Sequence, residues 1–263
     1  MNFLTFIERI KLRVKEESTY RANIIAWFIY SIISTIILIL FWRAVFSSVN
    51  QIGDFDFKSI VFYYITAMVF LVYSSSEWYI SNIIQYGDIV TKLTKPWNIT
   101  KYAAAYDIGK FIVDFISVSF AMLIVAQIFF GYINMLNPIN AFLGIISYIL
   151  ALTMNFFLCL GLAFITTWTK SYYGIKNLKS ILISIFSGKF IPLSFFPIWA
   201  QKILNFTFFP SLSYDFIMIF MGKVDFYSSL FIMVKQIMWI IIFYLFYKII
   251  FHFAQRKFIG EGI

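Results

Sequence analysis

Six long apolar segments run through the chain, separated by shorter polar ones. Their length and apolar content predict membrane spans at residues 22–42, 59–80, 102–131, 139–168, 178–196 and 227–251. About 20 apolar residues in a helix cross the roughly 30 Å of hydrocarbon in a bilayer. The predicted fold class is therefore an all-α integral membrane protein, with one transmembrane domain over residues 1–263.

Two amphipathic segments stand outside these spans. In residues 1–21, Phe3, Ile7, Ile10 and Val14 fall on one helical face, which predicts a helix lying on the membrane surface before the first span. Residues 81–95 form the second segment, between the second and third spans. The segment fits either a cytoplasmic lever that a partner protein moves or a helix that rests on the lipid headgroups.

The second segment has its own helical pattern. Its apolar residues Ile83, Tyr86, Val90 and Leu93 recur at helical spacing, which predicts one apolar face, whereas Asp88, Lys92 and Lys95 lie off it. Pro96 is expected to end the helix, because proline has no N–H and clashes with the preceding turn.

Prolines and glycines interrupt the chain between the fifth and sixth spans. We expect residues 197–222 to form short re-entrant helices on the outer side, because irregular backbone at membrane depth is tolerated only inside protein or beside a wet cavity. An ordinary outer loop is the alternative. The interrupting residues are Gly188, Pro192, Pro197, Pro210 and Gly222.

Composition and charge agree with a bilayer location. The 263 residues are 62% hydrophobic and 13% charged, against about 25% charged in soluble domains. The net charge of +9 does not indicate nucleic acid, because the basic residues flank the apolar segments. Most of them belong to the flanks on one side, so the positive-inside rule predicts that both termini and residues 81–95 are cytoplasmic.

Few residues could support catalysis. Cys159 and His252 are the only Cys and His, so a metal centre or a nucleophile–His pair is not expected. Three Gly-Lys pairs occur, but none has the glycine five residues upstream that a phosphate-binding loop requires. We therefore expect no enzyme activity, cofactor or metal in this chain.

One group of charged residues lies within a span. Asp107, Lys110 and Asp114 share a helix face by their spacing, and Glu77 at the end of the second span is expected at a similar depth. Ionisable residues in a span are functional candidates. The group fits a neutralising cluster that braces a helix end, or an ion-coupling site in a secondary transporter.

Several short motifs, in their order and spacing, resemble the permease subunits of type-2 ABC exporters. The resemblance covers nearly the whole chain and is closest to the bacterial branch whose ATPase is encoded separately. The matching residues are Tyr20–Arg21, Gly87 with Leu93-Thr94-Lys95-Pro96, Gly188 with Ile191-Pro192-Leu193, Phe196-Pro197, Phe209-Pro210, Gly222 and Arg256-Lys257-Phe258.

The resemblance implies a set of partners and roles. Two such permeases, identical or paralogous, pair with two ATPase subunits, which bind ATP and Mg²⁺, in a bacterial cell membrane. Residues 1–21 correspond to the connecting helix and residues 197–222 to outer re-entrant helices. Residues 81–95 correspond to the coupling helix that seats on the ATPase, and its candidate contacts are Tyr86, Gly87, Asp88, Lys92, Leu93, Lys95 and Pro96.

Two other functions remain open from the residues alone. One is a proton- or ion-coupled secondary transporter that uses Asp107, Lys110 and Asp114. The other is a membrane-embedded assembly protein that transports nothing.

Overall fold

A computed structural model describes residues 3–70, 74, 76–89, 91, 98–132, 136–169 and 171–260, which contain helices and no β-strand. The α-helices in chain order are α1 (Phe3–Thr19), α2 (Arg21–Val45), α3 (Phe57–Val69), α4 (Ser76–Gln85), α5 (Ile99–Asp114), α6 (Phe120–Phe130), α7 (Pro138–Thr169), α8 (Tyr173–Phe186), α9 (Ile198–Phe206), α10 (Tyr214–Phe220) and α11 (Phe226–Gly260).

Four helical stretches of the described chain are long and apolar enough to cross a membrane: Arg21–Val45, Ile99–Ile128, Pro138–Thr169 and Phe226–Phe258. The second of these joins α5 to α6 through a π-helical turn at Phe115–Ser119. The described part of the chain is thus helical, with helices of the length and apolar content typical of a membrane protein. Within the described residues, four of the six predicted spans are thus continuous helical stretches of sufficient length.

The structure of residues 59–80 differs from the single span that the sequence predicts. It is two helices, α3 and α4, and the non-helical residues Phe70 and Ser74 lie between them. A capping box of Asp56 and Ser59 starts α3, which is buried on nearly all sides. With 13 residues, α3 is about 20 Å long and too short to cross a bilayer alone.

The fifth predicted span is also shorter than the sequence indicates. Its helix α8 covers Tyr173–Phe186, and Gly188 follows with a φ of +83°. Residues up to 196 therefore belong to the irregular outer segment. None of the residues of α8 is buried in this chain, so the helix presents most of its surface outward.

The core has two main parts, at opposite ends of the bundle. Aromatic residues of α2, α3 and α10 pack at one end, where Trp42 stacks with Tyr64 at 6.0 Å between ring centroids. At the other end, α4, α5, α7 and α11 converge around Phe164 and Tyr247. Small residues let membrane helices approach closely, and a Cβ on Gly161 of α7 would lie 2.5 Å from the Phe246 ring of α11.

Candidate functional site

The segment that resembles a coupling helix begins inside α4. Residues 81–85 are the last turns of α4, and Tyr86–Asp88 form an exposed turn. Gly87 has a φ of +76°, and its N–H bonds the Ile84 carbonyl at 3.2 Å, which is how glycine commonly ends a helix. A separate helix that starts at residue 81 is therefore not what the structure contains.

The apolar face predicted for this segment is only partly correct. Ile83 and Ile89 are both buried in the apolar cluster that includes Ile99 and Phe164. Tyr86 is 79% exposed and so does not lie on that face. The turn at Tyr86–Asp88 therefore displays a tyrosine, a glycine and a carboxylate at one end of the bundle. Val90, Lys92, Leu93, Lys95 and Pro96 lie outside the described residues.

Asp107 on α5 caps the start of α4. Its carboxylate accepts hydrogen bonds from the Ser74 hydroxyl at 2.6 Å, the Ser76 N–H at 2.6 Å and the Ser76 hydroxyl at 2.9 Å. The first N–H groups of a helix have no intrahelical partner, and a carboxylate there also interacts favourably with the helix dipole. Asp107 thus fixes the place where α4 begins.

Replacing Asp107 with Ala is expected to weaken the start of α4. Loss of a helix cap typically costs about 1 kcal/mol, with a range of roughly 0.5–2 kcal/mol. Faster backbone hydrogen exchange in residues 76–80 would be the local sign. The matched control is Asp88→Ala in the exposed turn, which should leave exchange in α4 unchanged. Equal exchange in Asp107→Ala and the wild type would contradict the capping role.

Lys110 and Asp114 connect α5 to the N-terminal helix. The Lys110 ammonium lies 3.1 Å from Asp114 and 3.5 Å from Glu17 of α1. Nearby, the Arg13 guanidinium lies 3.8 Å from the centre of the Tyr106 ring. These contacts brace α1 against α5. Sequence spacing grouped the two α5 residues, but it could not find Glu17 and Arg13, which are far away along the chain.

Glu77 does not join the charges on α5 in an ion pair. Its side chain, 1% exposed, pairs with Lys179 of α8. The Lys179 ammonium is also 3.1 Å from the thiol of the buried Cys159 on α7. The four residues predicted as one cluster therefore belong to three contacts: the Asp107 cap, the brace to α1 and the pair between α4 and α8.

The outer glycines and prolines lie at the ends of short elements. Pro192 precedes a 3-10 turn at Leu193–Phe195, Pro197 precedes α9, and Pro210 begins a second 3-10 turn at Pro210–Leu212. Gly222, with a φ of +66°, follows α10. Proline suits the first position of a helical turn, as at Pro210, because its missing N–H has no partner there anyway.

Two tyrosines of α3 hold the start of the outer segment. The Tyr63 hydroxyl donates to the Gly188 carbonyl at 2.6 Å, and the Tyr64 hydroxyl donates to the Phe190 carbonyl at 2.5 Å. Both rings are almost completely buried. The backbone on either side of Lys189 is thus fixed to α3.

A buried ion pair on the outer segment was not found from the sequence. Lys235 of α11 lies 2.7 Å from Asp215 of α10, and their side chains are 14% and 7% exposed. Lys235 therefore points to a partner inside the protein and not to the membrane surface. The available signal was the lysine itself, because a charge within an apolar helix usually has a partner.

Uncharged polar groups extend this ion pair. The Ser211 hydroxyl donates to Asp215 at 2.8 Å, and the Gln236 amide donates to the carbonyls of Ser211 at 3.1 Å and Ser147 at 3.2 Å. The Ser147 hydroxyl donates back to Gln236 at 3.0 Å. The network joins α7, the outer segment and α11.

Among the described residues, no group of three or more His, Cys, Asp or Glu side chains could hold a metal ion. A comparison with protein-family models matches residues 32–262 to the model described as ABC-2 family transporter protein. A search of curated proteins gave no significant match.

Proposed function

The chain belongs to the ABC-2 transporter family, and from this membership we propose that it is the membrane-spanning permease subunit of an ABC exporter. The family match over residues 32–262 carries the proposal, and the four long apolar helices support it. ATP and Mg²⁺ would be bound by separate ATPase subunits, because this chain has no phosphate-binding loop.

We propose that the turn at Tyr86–Asp88 contacts the ATPase. The turn is exposed, whereas Ile83 and Ile89 on either side of it are packed against α5, α7 and α11. A force applied to the turn would therefore reach these helices directly. A packed turn of this kind can transmit a rearrangement of the ATPase to the membrane helices and so open the substrate path.

A second permease, identical or paralogous, would complete the path. Helix α2 leaves most of its apolar side chains exposed, and α8 has no buried residue. Both helices therefore have surface available for a second permease. The two permeases would pair with two ATPase subunits in a bacterial cell membrane, with both termini in the cytoplasm.

Purification in mild detergent tests the class of machine. The tagged chain, extracted from its own membranes, is expected to retain a P-loop ATPase in stoichiometric amount, identified by mass spectrometry. The same sample would reveal whether a second permease is present. A chain that purifies alone, as a stable self-oligomer, would overturn the proposal.

Gly87→Val is expected to abolish transport while the complex still assembles. Valine strongly disfavours a positive φ, so the turn must change shape even though nothing lies within 4 Å of a Cβ placed at this position. The measurements are ATPase retention and ATP-driven transport in vesicles.

Gly53→Val is the matched control for this substitution. Gly53 has a φ of +56° and also has open space around it, but it lies in the loop between α2 and α3. The Gly53→Val variant should have a similar local backbone strain and should leave transport intact. Full transport by Gly87→Val would remove the turn from the coupling mechanism without affecting the family assignment.

A further inference from the structure

An apolar groove follows the first half of α5. Its volume is about 870 Å³. Its walls are one face of α5, one face of α7 and the first turns of α1. Most of the lining is apolar, with Phe6, Ala104, Ile108, Phe111, Ile149 and Phe156 as its main side chains.

The groove has the length of one membrane leaflet. On α5 it extends from Thr100 to Phe111, which are 11 positions apart and span roughly 16 Å at 1.5 Å per residue. Half of a roughly 30 Å hydrocarbon core is about 15 Å. Ile108 and Ile149 on its walls are exposed, so the groove opens to the outside of the bundle.

One basic residue lines this groove, at the end where α5 begins. Lys101 lies on its lining at the start of α5 and is exposed. The guanidinium of Arg9 on α1 lies 5.0 Å from the centre of the neighbouring Tyr102 ring. Asp107 also borders the groove, but its carboxylate accepts the three hydrogen bonds from Ser74 and Ser76.

We propose that this groove binds an anionic phospholipid of the inner leaflet. One acyl chain lies between α5 and α7, and the phosphate lies near Lys101 and Arg9. An apolar channel of leaflet length, whose one basic lining residue is Lys101 at one end, matches a lipid that has one long tail and a negative head. The proposal goes beyond transport. It rests on the proposed function in one respect, the membrane orientation that places Lys101 on the cytoplasmic side.

Such a lipid would act on the helices that surround the candidate coupling site. It would contact α1 and α5, and α5 carries the Asp107 cap of α4. The composition of the inner leaflet could thereby change how firmly α4 is held.

Photo-crosslinking with defined lipids tests the proposal. The full chain is placed in vesicles that contain phosphatidylglycerol or phosphatidylcholine with a diazirine in the acyl chain, and labelled peptides are mapped by mass spectrometry. We expect phosphatidylglycerol to label residues 100–111 and 149–157 more strongly than phosphatidylcholine does. Lys101→Gln should lower this labelling about fivefold, since one basic residue near an anionic surface contributes about that factor.

Two further variants separate the groove from general lipid contact. Ala104→Phe fills the groove and should lower labelling by both lipids. Lys58→Gln removes an exposed charge at the start of α3 and should change neither. Equal labelling by the two lipids would overturn the proposal. So would groove labelling no stronger than that of the exposed α11 residues Val234, Ile237, Met238, Ile241 and Ile242. Size-exclusion profiles would check that every variant is folded.

Discussion

Asp215→Asn is expected to lower the thermal stability of the protein by about 10 °C. The substitution preserves the shape of the side chain but leaves the ammonium of Lys235 buried without its carboxylate. Breaking a buried ion pair by removing one partner costs about 3–5 kcal/mol, and each kcal/mol lowers the midpoint by about 2–4 °C in a chain of this size. The change is measured by heating the protein to a series of temperatures and quantifying the folded fraction by size-exclusion chromatography.

A double variant distinguishes the effect of leaving Lys235 unpaired from the effect of losing the Asp215 carboxylate itself. Asp215→Asn combined with Lys235→Met should recover most of the stability, because replacing both partners of a buried pair with uncharged groups is often close to neutral. Asp225→Asn is the control, since Asp225 is exposed at the start of α11 and asparagine caps helices as well as aspartate does. A double variant no more stable than Asp215→Asn would contradict this account.

The control carboxylate, Asp225, has a lowered pKa. A hydrogen bond from the Ser228 hydroxyl holds the pKa of Asp225 below its usual value. The small stabilisation that this provides is present at neutral pH and is lost as the pH falls through the lowered pKa. Comparisons between variants should therefore be made near neutral pH, where Asp225 is fully ionised.

Long apolar helices could be predicted from the sequence because their signal is local. The expected span at residues 139–168 corresponds to α7 at Pro138–Thr169, and the family suggested by the motifs is the one whose model matches. Hydrophobic content alone marks such segments, and it does not require knowledge of what they pack against.

Helix interruptions in the second span could not be predicted, because their cause lies elsewhere in the chain. No proline or glycine occurs from residue 59 to residue 80, so the sequence indicated one helix. The start of α4 depends on Asp107, which is 31 positions from Ser76. Only the fold brings that cap to this place.

Side-chain partners were the least predictable part of the candidate site. Helical spacing relates residues three or four positions apart, and it correctly placed Lys110 beside Asp114. It gave no information on Glu77 and Lys179, which are 102 positions apart, or on the pairing of Lys235 with Asp215. The charges could be recognised from the sequence, but their partners required the structure.

Glu77→Gln is expected to loosen α8 and to expose Cys159. Helix α8 has no buried residue, and its Lys179 reaches both Glu77 and the Cys159 thiol. With the carboxylate removed, the Lys179 ammonium loses its carboxylate partner although its side chain is only 16% exposed. A thiol that is covered in the native state reacts only when the structure opens locally. A loss of about 3 kcal/mol would raise the reaction rate about a hundredfold.

Labelling with a maleimide measures this opening directly, because Cys159 is the only cysteine in the chain. Glu77→Gln should react much faster than the wild type, whereas Glu77→Gln with Lys179→Met should react slowly again, because no unpaired charge is then left between α4 and α8. Glu16→Gln, which removes a half-exposed partner of Arg13 on α1, should leave the rate unchanged. If Glu77→Gln reacts as slowly as the wild type, packing alone covers the thiol and the ion pair does not hold α8 in place.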